Sequence, residues 1–591
     1  MSLDQTPINQ LITDNIDTWT STVKTKATTG RGSSKKLELY GVKKLRELIL
    51  ELAVRGKLVP QDSNDEPVST LLERNFDEQA RLIKTESLKT KANKDFSDGD
   101  EYLAAPVSWG RVKLGNLAKF IDYRGKTPKK IDSGVRLITA KNVKFGHISL
   151  FPEEFISEEE YVSWMTRGFP RAGDILFTPE APLGNVAQVD LEEKFALAQR
   201  AICFQLHIPE ISDFLKLFLM APSFQNLLLE KATGTTAKGI KASVLKELLV
   251  YLPSLYEQHR IVAKVDELMA LCDQLEQQTE ASIAAHQVLV TTLLDTLTNS
   301  ANAEELMQNW QMVAEHFDTL FTTEESIDQL KQTILQLAVM GKLVPQDPND
   351  EPAAKLLERI AEEKAQLIKD KKIKKQKALP PITDDEKPFE VPSGWEWSRF
   401  EDVVEIHSGI TKGRKLVGRE LKTIPYLSVA NVQRGYLNLQ NVKEIDLPVD
   451  EMEKYSVEEG DLLITEGGDW DKVGRTAIWR SEVPYMAHQN HVFKARPYLI
   501  EQSETWLEMY LNGPFARNYF AGSSKQTTNL ASINKTQLRS CLIAVPPHGE
   551  KQKITTRVEE LFHQCDLLQQ HIIECKATQV QLADTLIEQA L

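Results

Sequence analysis

Residues 45–74 read LRELILELAVRGKLVPQDSNDEPVSTLLER, and residues 330–359 read LKQTILQLAVMGKLVPQDPNDEPAAKLLER. Twenty-one of the thirty paired positions are identical, at an offset of 285. A period this long exceeds any solenoid repeat and marks the duplication of a domain-sized unit. The pairing continues outward. Trp109 in PVSW matches Trp395 in PSGW at an offset of 286, Gly173-Asp174 matches Gly460-Asp461 at 287, and Leu183-Gly184 matches Val473-Gly474 at 290. PSLYEQHRIVAKVDELMALCDQLE from Pro253 matches PPHGEKQKITTRVEELFHQCDLLQ from Pro546 at 293. A drift of eight residues keeps one order of parts in both copies. The roughly 140 residues inside each copy are close to unrelated. A duplicated enzyme would repeat its catalytic residues; here a frame repeats around different contents.

The frame reads as helix. Ile554, Val558, Leu561, Cys565, Leu568, Ile572 and Cys575 alternate spacings of four and three, as do Ile261, Val265, Leu268, Cys272 and Leu275. That spacing lays one apolar stripe along a helix, the seam of a coiled coil, and makes the cysteines seam residues before reactive thiols. The amphipathic block ending in LLER is the expected partner, continued by charged runs at 73–94 and 358–377. Lys371-Lys372-Ile373-Lys374-Lys375 reads equally well as a solvated helix end or as a basic patch. Each copy therefore runs helix, globular domain, helix. The chain's two ends supply the same two parts as its middle, so it can close on itself about a pseudo-twofold axis. Residues 1–36, a short amphipathic stretch and a Ser/Thr/Gly-rich linker, fall outside the repeat.

The two globular stretches mix short β-rich runs (GVRLITAKNV, AGDILFT, AICFQLH; IPYLSVANV, GDLLIT, NHVFKARP) with Gly/Asn/Asp turns, and each carries a helix, FLKLFLMAP or WLEMYLNGP. The fold class is α+β: two domains of mixed α/β character separated by long antiparallel coiled-coil helices, with an internal pseudo-twofold repeat. At 591 residues, 41% hydrophobic and 26% charged, the chain can bury several cores. No apolar run reaches the roughly 20 residues a bilayer requires, and the polar N-terminus has no secretory pattern. Five scattered cysteines without a CxxC pair point to neither disulfides nor zinc, which favours a reducing cytoplasm.

Basic loops recur at matching places. Residues 111–147 hold ten Lys/Arg against Asp122 and Asp132. YRGKTPKK in the first domain and SGITKGRK in the second open the two series of candidates for nucleic-acid contact. In the first domain these are Arg124, Lys126, Thr127, Lys129, Lys130, Lys141, Asn142, Gln199, Arg200, Thr235, Thr236, Lys238 and Lys241. In the second they are Lys412, Arg414, Lys415, Asn431, Arg434, Gln489, Asn490, Lys525, Gln526, Thr527, Thr528 and Asn529. Arg and Lys supply phosphate charge and guanine contacts, Asn and Gln match adenine edges, and Thr reaches either. A surface or turn role stands beside each. The net charge of −14 argues against simple electrostatic binding, and residues 444–471 hold eleven acids and one Lys. Those acidic surfaces are expected to face away from DNA or toward partner subunits.

Catalytic signatures are missing. GKT at 125–127 fails as a phosphate loop because position 120 is Phe120 rather than glycine. No NPPY- or DPPY-like tetrapeptide and no GxGxxG loop occurs. His488 and His491 in MAHQNHVF are read on one strand face, in surface or satisfied roles rather than as a metal pair.

Taken together, two dissimilar domains, each opening on a Pro–Trp motif and closing on Glu257-Gln258 or Glu550-Lys551-Gln552, with heptad helices between, resemble the specificity subunits of type I restriction-modification systems. The GKLVPQD blocks at 56–62 and 341–347 are similar to those of the longer-chain branch. The resemblance covers nearly the whole chain. It implies an N-terminal extension at 1–36, helical regions at 37–103, 257–389 and 550–591, and target-recognition domains at 104–256 and 390–549. It further implies that each domain reads half of a split, asymmetric sequence in double-stranded DNA while the helices set the gap. Two modification (methyltransferase) subunits carrying S-adenosylmethionine would dock on the helices, and restriction motor-nuclease subunits would join them. No catalytic residue, metal or cofactor is expected in this chain. A solitary methyltransferase or nuclease, and a coiled-coil scaffold with two protein-binding domains, remain as alternatives.

Overall fold

The computed structural model describes residues 8–26, 36–86, 101–123, 127–198, 200–234, 238–301, 303–468, 472–527 and 530–591. The chain divides into two compact units. One holds residues 34–281 with the N-terminal stretch and the last residues, Lys576–Leu591; the other holds Ser282–Cys575. Two long helices, Leu255–Asn299 and His548–Ala590, each begin in one unit and end in the other. Among the described residues no helix is long and apolar enough to cross a membrane.

The repeated block does not form one helix. It breaks into Tyr40–Val54 and Val68–Glu86 in the first copy, and into Glu324–Val339 and Ala353–Lys369 in the second. The break sits at the glycine of GKLVPQD. Gly56 and Gly341 take φ of +66° and +68°, the left-handed conformation that ends helices. A β-carbon on either would lie 2.5 Å from Cγ of Pro106 or Pro392, the prolines that open the globular domains. Glycine is thus required twice over, by the turn and by the proline seated on it. The following loop is clamped to the start of the long helix. Asp65 accepts from Arg260 at 2.7 and 3.1 Å, which holds its carboxyl below the usual range, and Asp350 lies 3.7 Å from Lys553 at the matching place.

The helical stripes fill as their spacing predicts, against the block helix of the same unit. Leu45, Leu48, Ile49 and Leu52 pack with Ile261, Val265, Leu268 and Cys272, and Leu330, Ile334 and Leu337 with Ile554, Val558 and Cys565. Each unit is then completed by the far end of the other copy's long helix: Ala583 and Leu586 join the first core, and Val290, Leu294 and Leu297 the second. Cross-links repeat with the packing. Arg46 binds Asp273 and Glu276 at 2.6 and 2.7 Å, and Lys331 binds Asp566 and Gln569 at 2.6 and 3.3 Å. Cys575 departs from the expected seam and is exposed, because the buried stripe lapses after Ile572 and resumes at Ala583. Residues 8–21 also have a counterpart in the repeat. Helices Ile8–Asp14 and Ile16–Ser21 precede the first block as Ala303–Glu315 and Phe317–Leu320 precede the second, burying Trp19 and Leu320. The match is carried by Gln10, Asp17, Thr18 and Thr22 against Gln311, Asp318, Thr319 and Thr323, too little to stand out in sequence.

The globular domains, nearly unrelated in sequence, share one topology. In the first, a four-stranded antiparallel sheet runs Ala118–Asp122, Ile202–Leu206, Ile175–Pro179, Leu183–Gln188; in the second it runs Val404–His407, Val492–Pro497, Leu462–Thr465, Thr476–Ile478, the same order. A three-stranded sheet in each combines one antiparallel and one parallel pairing, the parallel one between Val135–Ile138 and Phe195–Leu197 or between Leu421–Leu427 and Ala487–His488. A two-stranded ribbon anchors each domain to the frame, Gly110–Lys113 with Leu249–Leu252 and Glu396–Arg399 with Leu542–Val545. Buried acids at the entry to the central strand are handled differently. Asp461 is held by two bonds from Arg496, at 2.7 and 2.8 Å, whereas Asp174 faces Gln205 and Cys203 and burial pushes its carboxyl up.

Candidate nucleic-acid interface

Polar loops gather at one end of the four-stranded sheet in each domain. In the second domain, Ile410 of the opening basic loop bridges in parallel to Gln489, and Asn490 N donates to Ile410 O at 3.0 Å. The strand end Gly467–Gly468 pairs with Leu530–Ser532, which pairs with Lys525–Thr527, so the late polar loop becomes a β-ribbon on the central strand. In the first domain Glu180 and Thr233 both bridge to Gly239 in the late loop. Short polar loops fixed to a rigid sheet make a surface that can be preorganised for a ligand's shape.

Of the candidates, Thr127, Lys129, Lys130, Lys141, Arg200, Lys238, Lys241, Lys412 and Lys415 are exposed. Lys130 and Lys141 converge on Glu154, at 2.7 and 3.8 Å. Lys412 lies over the Tyr426 ring at 5.0 Å. Arg414, Arg434, Gln489 and Asn490 are half-buried. Lys525, Gln526 and Thr527 lie on the ribbon strand. Arg124, Lys126, Gln199, Thr235, Thr236, Thr528 and Asn529 lie outside the described residues.

Two candidates are corrected. Asn142 and Asn431 are 1% and 3% exposed, and their amides are consumed inside turns. Asn142 Oδ1 accepts from Thr139 N and Oγ1 while Nδ2 donates to Ser149 O and Pro152 O. Asn431 repeats this with Ser428, Asn438 and Asn441. Buried asparagines so fully bonded build the loops; they have nothing left for a base.

The acidic segment is also placed differently from the expectation. Glu451 accepts from Arg414 at 2.7 Å and Arg419 at 2.6 Å, and these guanidinium groups hold its carboxyl below the usual range. Part of the 444–471 acidity therefore neutralises the opening loop of its own domain. The two histidines separate as well. His488 is buried with Nδ1 2.7 Å from Val492 O, and burial pushes the ring down to about 4. His491, beyond the strand end, is exposed with Nδ1 2.5 Å from Glu466 Oε2. Residues three apart point to opposite faces of a regular strand, and here the chain also leaves strand geometry between Ala487–His488 and Val492–Pro497, so the rings do not share a face. Among the described residues no group of three or more His, Cys, Asp or Glu is placed to hold a metal ion.

Glu180 and Glu466 were not singled out from sequence, and His491 only as half of a rejected metal pair. Single charged residues beside β-runs carry no pattern, and only the sheet register brings these to the loop face.

The DNA specificity domain of type I restriction modification matches this chain twice, over residues 106–285 and 392–577. The specificity subunit of the type I restriction enzyme EcoAI of Escherichia coli is 39% identical across 99% of this chain and 100% of its own length. That of EcoEI, also from Escherichia coli, is 37% identical over the same shares. The crystal structure of the HsdS subunit from Thermoanaerobacter tengcongensis aligns over 82% of this chain and 97% of its own, at TM-score 0.37 and 18% identity.

Proposed function

Because this chain belongs to the family of type I restriction-modification specificity subunits, we propose that each of its two recognition domains reads one half of a bipartite, asymmetric DNA target. The chain is the non-catalytic, sequence-recognising member of such an enzyme. The observation that carries the reading is the contrast between the two domains. They share strand order and loop placement, yet the loops at the shared face hold different side chains. One frame presenting two different reading surfaces suits a target whose halves differ.

The long helices joining the units act as the spacer that sets the unread gap. Modification subunits dock on the helical frame and bring S-adenosylmethionine and the adenine-methylating site; motor-nuclease subunits join for restriction. The repeated Arg46 and Lys331 cross-links support a frame with two like docking places, which would let two identical partners meet one asymmetric chain. The site of action is the cytoplasm, where the DNA is. With a net charge of −14, binding of DNA depends on the assembled complex.

The test is to express the chain with its modification subunit in a methylation-free host and map methyladenine. A bipartite motif with a fixed gap is expected. A stable complex that leaves no new methylation would overturn the reading in favour of a protein scaffold.

A further inference from the structure

Both recognition domains hold one exposed nitrogenous side chain against one carboxylate at the same point of the sheet. In the first it is Arg200, just ahead of Ile202–Leu206, with Nε 3.2 Å from Glu180 Oε1. In the second it is His491, just ahead of Val492–Pro497, with Nδ1 2.5 Å from Glu466 Oε2. Strand register makes the two positions equivalent. Ile202 pairs with Phe177 as Phe493 pairs with Ile464, and Phe177 and Ile464 each stand three residues beyond the matched Asp174 and Asp461. The carboxylates come from neighbouring positions. Pro179 O and Glu466 O each accept from the late loop, from Ile240 N and Ile533 N, at 2.9 Å, which places Glu180 one residue further along. Each carboxylate is thus tied, at its own backbone or at the residue before it, to the late loop of its domain.

The core has no use for these side chains, which are 58% and 55% exposed. Exposed ion pairs also contribute little to stability. Arg200 moreover sits at φ +61°, which glycine or asparagine would adopt at lower cost. What the carboxylate does is decide which atoms face outward. With Nε engaged, Arg200 presents its two Nη groups, the fork that fits guanine O6 and N7. With Nδ1 held against Glu466, the His491 ring turns Nε2 outward as the one ring nitrogen left to meet a base edge.

We propose that Arg200 and His491 are matched specificity-determining residues, each choosing one base in its own half-site, with Glu180 and Glu466 as the residues that position them. The inference rests on the DNA-reading function proposed above and adds where in each domain the choice is made and by which chemistry. Arg200 selects a guanine through its fork; His491 selects its base through a hydrogen bond at Nε2.

The measurement is the methyladenine motif of the complex assembled with its modification subunits, for the unaltered chain and for Arg200→Ala, Arg200→Lys, Glu180→Gln, His491→Phe and Glu466→Gln. Arg200→Ala is expected to relax one guanine column of one half-site by about ten-fold while the other half-site is read as before. Arg200→Lys should not restore it, since a point charge cannot replace the fork. His491→Phe should relax one column of the other half-site alone, and the Glu→Gln variants the same columns more weakly. The intact half-site in each variant reports that the chain is folded and assembled. Columns left unchanged by the Arg200 and His491 variants would overturn the inference while the DNA-reading function stands. So would loss of both half-sites in Arg200→Ala and Arg200→Lys alike, since that assigns Arg200 to the fold. Absence of any motif with the unaltered chain would instead remove the function on which the inference rests.

Discussion

Trp109 Nε1 donates to Glu257 Oε1 at 3.0 Å, joining the first turn of the recognition domain to the first turn of the long helix. Trp395 and Glu550 repeat the bond at 2.9 Å in the second copy. Each tryptophan ring stands edge-on to the domain's own helix, Trp109 to Phe214 and Trp395 to Trp506. One residue thus fixes the reading domain to its spacer.

Burial pushes the Glu257 carboxyl up, and the indole bond opposes the shift. Its contribution to stability therefore falls as pH rises through the ordinary 4.5 toward the raised folded value. Trp109→Phe removes the donor and leaves the carboxylate short of a partner. It should destabilise the first unit by about 1–3 kcal/mol, with the larger loss above neutral pH. Denaturant unfolding at pH 5 and pH 8 measures this, and an equal loss at both would contradict the assigned cause.

Glu508 gives a sharper pH signature in the second unit. Burial pushes its carboxyl up to about 7, outweighing the bond from Ile478 N at 3.0 Å. Stability is fully present below the ordinary 4.5 and is lost as pH climbs to about 7. The full loss is about 3 kcal/mol. Glu508→Gln keeps an oxygen for Ile478 N and removes the titration. Its unfolding midpoint should vary less across this window and exceed the unaltered chain's at pH 8. Parallel pH profiles for the two proteins would refute the assignment.

The far ends of the long helices should behave as parts of the units they enter. Lys57 Nζ donates to Leu591 O at 2.5 Å, and Lys342, its equivalent, donates to Thr298 O at 2.9 Å. A cation on the last carbonyls stabilises a helix end by about 0.3–1 kcal/mol. Deleting residues 583–591 also removes the buried Ala583, Leu586 and Ala590 from the first core. Amide exchange should accelerate in Tyr40–Val54 and stay unchanged in Glu324–Val339; uniform acceleration would show that the end is not specific to its unit.

Asn142→Ala and Asn431→Ala separate folding from reading. Each strips several buried bonds from a turn, and each should cost about 2 kcal/mol or more. The motif methylated by whatever complex still assembles should be unchanged. A changed base preference with undiminished stability would restore these residues to the interface.

The sequence alone was enough for the duplication, the helical stripes, the family resemblance and the division into frame and reading domains. Those features are written in periodicity and in local pattern: Leu45 and Leu330 lie in matching words, and Ile261 to Leu275 keeps helical spacing. Tertiary structure decided the rest. It showed that two nearly unrelated stretches share one strand order, because a sheet needs only apolar residues at inward positions and tolerates many choices there. It moved Asn142 and Asn431 from the surface to the inside of turns, because an asparagine in a polar loop looks the same whether its amide faces water or a backbone carbonyl. It also brought Glu180 to Arg200 and Glu466 to His491. These partners stand 20 and 25 residues apart in the chain and meet only through strand register, which depends on pairings that no local stretch encodes.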